Sequence, residues 1–153
     1  MSAVDVMVAD PSWREALPDV VRRCRRAARL ALGVLEPARS LAILLTDDAQ
    51  LQELNRRFRG VDRATNVLAF RQTAPTGPEA DRLGDVAVAF GVCAREAGEQ
   101  GKTLADHLSH LVIHGVLHLA GHDHDRPRQA SRMEAIETDL LARLAIADPY
   151  LPR

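Results

Sequence analysis

The chain has 153 residues, of which 46% are hydrophobic and 27% are charged, and its formal net charge is −1. This composition excludes a disordered chain, and the length suits one domain with a sizeable core, spanning residues 1–153. The near-zero charge excludes a uniformly basic protein, so any contact with nucleic acid must use a local basic face.

The first third of the chain predicts a strand, a helix and a second strand. Residues 3–9 alternate weakly around valines and indicate a strand. Asp10 and Pro11 are typical of a helix start, although Pro18 allows the regular helix to begin there after a short turn. The helix carries an arginine-rich outer face, which is either solvated or in contact with RNA. Residues 41–45 are continuously apolar and predict a central strand.

The middle of the chain predicts a capped helix followed by two strands. Thr46 or Asp47 caps the helix, and Gly60 ends it. Residues 55–71 contain five arginines and one aspartate, so this segment is locally basic. Strands follow at 67–70 and 86–90. We expect them to pair in an antiparallel fashion across a mobile loop at 72–83, which contains prolines and glycine. The arginines of this segment are Arg56, Arg57, Arg59, Arg63 and Arg71.

After a further helix at 91–100, residues 104–120 predict a helix that organises the rest of the chain. Thr103 precedes it as an N-cap, and Gly121 follows it as a C-cap. From residue 111 onward the helix is apolar nearly all round, which predicts burial. His114 and His118 interrupt this apolar surface four residues apart, so they lie on one face and can hold one metal ion. The two earlier histidines, His107 and His110, are interpreted as surface residues.

Two residues after the helix end could supply a third ligand. His122 would continue the four-residue spacing if the helix continued, but Gly121 indicates that it does not. The spacing therefore favours His124 over His122, and Asp123 is a candidate acceptor for a ligand N–H. Three imidazoles leave one tetrahedral position for water, which is typical of catalytic zinc. A zinc peptidase would carry a glutamate general base where this chain has Gly115.

The segment H-G-V-L-H-L-A-G-H-D-H, residues 114–124, resembles the signature of the YbeY family of bacterial endoribonucleases and ribosomal-RNA maturation factors. The resemblance implies that His114, His118 and His124 bind one zinc ion per chain. Residues 55–70 resemble a second family motif, with Ala69 in place of the usual serine and Arg71 just after it in place of the usual proline.

This second motif implies that Arg59 is essential, and its guanidinium suits two phosphate oxygens. The L-G-D-V segment at 83–86 also resembles the family and implies that Asp85 faces the cleft beside the metal ligands. The tail at 148–151 resembles the family's C-terminus.

The predicted fold is α+β: a four-stranded mixed sheet with about five helices packed around it and the metal-binding helix at its centre. The last helix begins near Asp125 and Pro127.

The predicted function is that of a metal-dependent, single-strand-specific endoribonuclease in ribosomal-RNA processing, maturation and ribosome quality control. Arg59 and His114 are the expected catalytic residues. Arg56, Arg57, Arg63 and Arg71 are expected to bind RNA. Expected partners are single-stranded ribosomal-RNA precursors and the ribosomal subunit or its assembly proteins. Two alternatives remain open: a zinc hydrolase of peptide or amide bonds, and a non-catalytic RNA-binding assembly factor with a structural metal.

The sequence also indicates a compartment. Two cysteines, Cys24 and Cys93, occur without a CxxC motif, which indicates a reducing environment and does not support a thiolate zinc site. The N-terminal ten residues lack the basic flank of a signal peptide, and the apolar runs are too short to span a membrane. We therefore expect a cytoplasmic protein without a membrane partner.

Overall fold

A four-stranded mixed sheet forms the centre of the computed structural model, which describes residues 4–34, 39–71, 82–121 and 127–151. The strand order is β1-β2-β4-β3. The first three strands of that order run parallel, and β3 runs antiparallel to β4 as predicted. The strands are β1 (Val4–Val8), β2 (Ser40–Thr46), β3 (Val67–Arg71) and β4 (Arg82–Ala89).

In the described parts of the chain, six helices surround this sheet, where about five were predicted. The difference arises at Leu17 and Pro18, where the backbone becomes extended after one short helix and a second helix begins at Val20. Proline cannot donate the hydrogen bond that a continuous helix would need there. The helices are α1 (Ser12–Ala16), α2 (Val20–Val34), α3 (Asp48–Arg59), α4 (Phe90–Glu99), α5 (Leu104–Leu119) and α6 (Pro127–Arg143).

The sheet packs against a large hydrophobic core on one face and a smaller one on the other. Val86 and Val88 of β4 belong to the large core, which α2 and α5 share with the sheet. Ala87 and Ala89 point to the opposite face and join a smaller core beneath α3. This alternation follows from the two-residue period of a strand. It assigns every β4 side chain to one face or the other.

Helix α5 is positioned by its two ends and by one glycine. The Thr103 hydroxyl accepts a hydrogen bond from the Asp106 N–H at 3.1 Å, and Gly121 adopts the left-handed conformation at φ 91°. Gly115 lies against the sheet, where a Cβ atom would be only 2.8 Å from Cγ1 of Val86. The absent side chain therefore lets α5 approach β4 closely.

Several expectations about segment limits are corrected. Arg82 and Leu83 belong to β4 rather than to the preceding loop, and Phe90 begins α4 rather than ending the strand. Local propensity alone predicted these two boundaries, and the hydrogen bonds of the sheet and of the helix shift them by a few residues. Residues 72–81 of the expected loop and the expected helix start at Asp125 lie outside the described residues.

The two cysteines of the chain lie in the core. Cys24 and Cys93 are buried and free. Burial raises the pKa of each thiol to about 12, so neither forms a thiolate readily. Within the described ranges, no helix combines the length and apolar character that crossing a bilayer requires.

Candidate metal centre and cleft

Two histidines of α5 bring their ring nitrogens together. His114 and His118 are four residues apart, so their side chains lie one above the other on the same helix face. The Nε2 atoms of the two rings are 3.1 Å apart. Two imidazole nitrogens bound tetrahedrally to one zinc ion at about 2.05 Å would lie about 3.3 Å apart. The pair therefore has close to the spacing that a shared metal ion requires.

A buried carboxylate on α6 holds the outer side of His114. Oε1 of Glu137 lies 2.6 Å from Nδ1 of His114, and Oε2 lies 2.8 Å from Nε2 of His110. The hydroxyl of Tyr150 also donates to Oε2. Glu137 is completely buried, so its carboxylate is shielded from bulk water.

The charge state of Glu137 follows from these contacts. Burial alone would raise its pKa, but the hydrogen bonds from His110 and His114, with a smaller one from Tyr150, outweigh burial and lower the pKa to about 2. Burial and the bond to Glu137 raise the pKa of Tyr150, so its hydroxyl stays protonated and donates. The Glu137 carboxylate is therefore an anion surrounded by three hydrogen-bond donors.

An ionised carboxylate only accepts hydrogen bonds, and this fixes the tautomer of His114. Its Nδ1 must carry the proton that is donated to Glu137, which leaves the lone pair on Nε2. That lone pair is directed toward His118. A carboxylate–histidine pair that orients a ligand nitrogen in this way is a common support of metal sites.

A second group of ligand atoms overlaps the first. Among the described residues, His110, His114 and Glu137 place one ligand atom each within 4.8 Å of one another, so they form a group that could hold a metal ion. In this group, however, the nitrogens already donate to Glu137. The pair formed by His114 and His118 is more suitable, because it presents two nitrogens to the open cleft.

The cleft beside these histidines has a volume of about 900 Å³ and contains Arg59. Arg59 comes from the last turn of α3, which Gly60 ends in the left-handed conformation. Arg71, at the end of β3, also lines the cleft, and its Nη2 lies 3.4 Å from the backbone oxygen of His118. The fold thus brings two arginines and the histidine pair, which are distant in sequence, to one cleft.

The other predicted RNA-binding arginines do not line this cleft. Arg56 pairs with Glu53 at 2.6 Å, and the Arg57 guanidinium lies over the ring of Phe58 at 5.5 Å. Both side chains are exposed, as is Arg63. They lie on the surface at the end of α3 and in the loop that follows.

The expectation that Asp85 faces the metal ligands is corrected. Its neighbour Val86 packs against Gly115 of α5, so strand alternation turns Asp85 to the opposite face of the sheet. There its carboxylate pairs with Arg82 and lines a separate cavity. His122, His124 and Asp123 lie outside the described residues, so their part in the site stays a prediction.

The interpretation of His107 and His110 as surface residues is also wrong. His107 is buried at 3% exposure and lies 2.9 Å from Glu96, and the His110 side chain is 14% exposed. The surrounding helices cover these positions, which the periodicity of α5 alone could not show.

Sequence reasoning missed Glu137 and Tyr150. Glu137 lies four residues after Met133 and three before Leu140, so it falls on the apolar stripe of α6. A charged residue on an apolar stripe is the sequence signal that could have identified Glu137 as a buried functional residue. Nothing local indicated Tyr150, which reaches Glu137 only because the tail folds back over α6.

The comparisons with known proteins point to one family. The family model described as Endoribonuclease YbeY matches residues 4–145. A relative from Paramagnetospirillum magneticum, named Endoribonuclease YbeY, is 53% identical over 97% of this chain and 94% of that relative. Relatives of the same name from Bradyrhizobium sp. and Chelativorans sp. are 42% and 44% identical, over 97% and 96% of this chain and 92% of each relative.

A solved structure extends the likeness to the fold. The solution structure of TM1509 from Thermotoga maritima has a TM-score of 0.56 and 22% identity, covering 93% of this chain and 91% of that one. Fold and relatives together define an endoribonuclease, a hydrolase of RNA phosphodiester bonds. The chain belongs to the YbeY family.

Proposed function

We propose that the chain is a metal-dependent endoribonuclease of single-stranded RNA that acts in the processing and maturation of ribosomal RNA and in ribosome quality control. The observation that carries this proposal is the 3.1 Å approach of the His114 and His118 Nε2 atoms in the same cleft as Arg59. We place it in the cytoplasm, with ribosomal-RNA precursors as substrate and the ribosomal subunit or its assembly proteins as partners.

One zinc ion per chain is the proposed cofactor, and His114, His118 and His124 are its proposed ligands. Neutral imidazole nitrogens suit zinc, and the tautomer set by Glu137 leaves the His114 Nε2 lone pair available. When bound, such an ion supplies a Lewis acid and a water of lowered pKa. Glu137 orients the His114 ring, and Asp123 is the proposed partner of another ligand.

Arg59 is proposed to stabilise the negative charge that develops on the phosphoryl oxygens. Its guanidinium keeps its positive charge at working pH and can donate two parallel hydrogen bonds to two phosphate oxygens. Arg71 lines the same cleft and is proposed to hold a neighbouring phosphate. Arg56, Arg57 and Arg63 lie beside the cleft and are proposed to contact the RNA backbone that leaves it.

Phe58 supports the preference for single strands. It is 61% exposed although aromatic, and it lines the cleft next to Arg59. Its ring is braced from one side by Phe70 at a centroid distance of 5.3 Å. Exposed aromatic rings stack on bases that are not paired in a duplex. We therefore assign Phe58 the role of stacking on a base next to the cleaved bond.

The packing of Gly115 disfavours the peptidase alternative. A peptidase of the H-E-x-x-H type needs a glutamate at this position. Here the position faces Val86 of the sheet, and even a Cβ atom would be 2.8 Å from it. The site therefore has no room for that general base. The alternative of a non-catalytic RNA-binding factor remains, and the following experiment separates it.

The experiment compares RNA cleavage by the wild type, Arg59→Ala and Arg59→Lys, with Arg14→Ala as the control. Arg14 is an exposed arginine on α1 that does not line the cleft. Arg59→Ala should lose at least about a hundredfold in kcat, because removing one charge-stabilising donor costs about that much. Arg59→Lys should restore little, and metal content should stay unchanged. Binding of RNA by the wild type without metal-dependent cleavage would support the non-catalytic alternative instead.

The same assay tests the role of Phe58. Phe58→Ala should raise KM for a single-stranded oligonucleotide more than it lowers kcat, whereas Phe58→Tyr should keep the wild-type values. Met7→Ala removes another exposed apolar side chain, 66% exposed on β1, and serves as the control. Equal effects of Phe58→Ala on single-stranded and duplex substrates would contradict the stacking role.

A further inference from the structure

Helix α2 carries a concentration of arginines that the cleft does not explain. Five arginines occur between residues 22 and 29, although the whole chain has a net charge of −1. On the opposite face of the helix, alanines and Cys24 pack into the core. The charged face therefore looks away from the sheet. The arginines are Arg22, Arg23, Arg25, Arg26 and Arg29.

Four of these side chains, Arg22, Arg25, Arg26 and Arg29, border a groove of about 860 Å³ between α2 and the end of α6. Arg143 faces them from α6, and Asp19 is the one acidic residue of the described lining. Apolar side chains complete the groove, so its surface is both cationic and partly hydrophobic. The lining apolar residues are Pro18, Val21, Leu30 and Leu144.

The internal ion pairs of the groove leave part of its charge uncompensated. Asp19 accepts from Arg22 at 3.3 Å and from Arg23 at 2.9 Å. Arg25 donates to the backbone oxygen of Val4 at 3.2 Å, and no carboxylate of the described residues forms an ion pair with it.

The two remaining arginines of α2 are the freest. Arg26 and Arg29 are exposed and make no hydrogen bond or ion pair with any residue in the described ranges. They are three positions apart, so their side chains are neighbours on the helix surface. On the opposite side of the groove, Arg143 is paired with Asp139 at 3.0 Å.

We propose that this groove is a second RNA-binding surface, which holds the phosphate backbone of the substrate away from the cleavage site. Among the described residues, none lines both the groove and the cleft, so the two surfaces are separate. The helical rise places Arg22 and Arg29 about 10 Å apart along α2, which lets one strand offer successive phosphates to the arginines. The apolar floor can contact sugar and base faces.

The chemistry of the groove favours RNA over an acidic protein segment. Guanidinium groups bind phosphate in a bidentate manner, and the chain belongs to a family of endoribonucleases. The inference rests on that RNA substrate but not on the proposed metal ligands or on the role of Arg59. It predicts that RNA long enough to reach both surfaces binds more tightly than a short oligonucleotide that fills only the cleft.

The test is the salt dependence of RNA binding by Arg26→Gln/Arg29→Gln, measured by fluorescence anisotropy with a long single-stranded RNA. Each lost phosphate contact lowers the slope of log affinity against log salt by about 0.7, so the double variant should lose about 1.4. Arg14→Gln/Arg132→Gln removes two exposed arginines outside the groove and should leave the slope unchanged. All four positions are on the surface, and circular dichroism checks that both variants fold.

The cleavage assay adds a second readout. The groove variant should keep the wild-type kcat and KM on a short oligonucleotide and should raise KM on the long RNA. An unchanged salt slope, or a change equal to that of the control variant, would overturn the proposal. A wild type that binds RNA without cutting it would instead refute the proposed nuclease mechanism, while the slope would still decide the role of the groove.

Discussion

At the scale of single residues, the site depends on one buried carboxylate. Glu137 receives hydrogen bonds from His110, His114 and Tyr150, and it is completely buried. The bond to Nδ1 of His114 fixes which nitrogen of that ring faces the cleft. Glu137 therefore acts through His114, as a positioning residue, and its removal should be measurable in metal affinity.

We expect Glu137→Gln to weaken metal binding by about 10–100-fold, the usual effect of losing a partner behind a ligand histidine. The amide keeps the shape of the side chain but is neutral and has only one acceptor oxygen, so the His114 tautomer is no longer enforced. Metal affinity is measured by competition with a chromogenic chelator. Glu134→Gln changes an exposed glutamate of the same helix and should bind metal like the wild type. Equal affinity of Glu137→Gln would show that the carboxylate does not orient the ligand.

The sequence predicted the histidine pair at this scale, but it did not predict the hydrogen bond from His114 to Glu137. His114 and His118 stand out because they interrupt an apolar helix at a four-residue spacing. Their relation to Glu137 depends on how α6 packs against α5, 23 residues further along the chain, which no local pattern encodes. Asp85 shows the same limit, because its face of the sheet is decided by the contact of Val86 with α5.

At the scale of elements, the close approach of α5 to β4 determines where the histidines lie. Gly115 permits this approach, since any side chain there would meet the two Cγ atoms of Val86 at 2.8 and 3.1 Å. Both groups are buried in the core, where neighbours have little room to move. A larger residue must therefore shift the helix that carries His114.

We expect Gly115→Ala to lower the free energy of unfolding by about 1–3 kcal/mol, the usual cost of overpacking a core. The control is Gly98→Ala on α4, where a Cβ would meet nothing within 4 Å; it should be neutral or stabilise the fold by up to about 1 kcal/mol. Urea unfolding measures both. Val86→Ala removes the clashing methyl groups, so the double variant Gly115→Ala/Val86→Ala should be more stable than the sum of the single changes predicts. If the effects of the two single changes simply added, the strain would not arise from the contact between residue 115 and Val86.

Most elements could be predicted from the sequence, but their arrangement could not. The caps at Thr103 and Gly60 and the antiparallel pair β3–β4 follow from local signals and are confirmed. The strand order, with β4 between β2 and β3, depends on non-local pairing and has no counterpart in the local sequence. The sequence allowed the first helix to begin at Pro11 or at Pro18, and it did not decide between these two starts.

At the scale of the whole molecule, stability should depend on pH through His107. Burial lowers the pKa of His107 below its ordinary value of 6.5, and the hydrogen bond to Glu96 opposes this only in part. The unfolded chain therefore takes up a proton at a higher pH than the folded chain does. The resulting stability is present above about pH 6.5 and is lost as the pH falls toward the lowered pKa.

The expected loss is at most about 1.4 kcal/mol per pH unit for one proton. It is measured by urea unfolding at pH 7.5 and pH 5.5 with a chelator present, so that metal release does not contribute. His107→Gln removes the titrating group and should flatten this dependence, whereas the wild type should become less stable at the lower pH. If both proteins lost the same stability, the acid sensitivity would belong to other groups.

The whole fold should not need the metal ion. Ile113, Val116 and Leu117 of α5 are fully buried, and α5 packs against α2 and the sheet, whereas His114 and His118 line the cleft. Burying each such side chain stabilises the fold by about 1.5–3 kcal/mol, so packing can hold α5 without ligand bonds. Bound metal should add only the linkage term, about 4 kcal/mol when free metal is a thousandfold above its Kd.

Removal of the metal by a chelator should therefore lower the melting temperature, abolish RNA cleavage and leave the far-ultraviolet circular dichroism spectrum unchanged. Readdition of zinc should restore both the melting temperature and cleavage, because the two histidine nitrogens are already held at the spacing that the ion needs. A site that only catalyses is dispensable for folding in this way, unlike the metal of a zinc finger. Loss of the helical spectrum on chelation would mean that the ion organises α5, and the role of the site would then be structural.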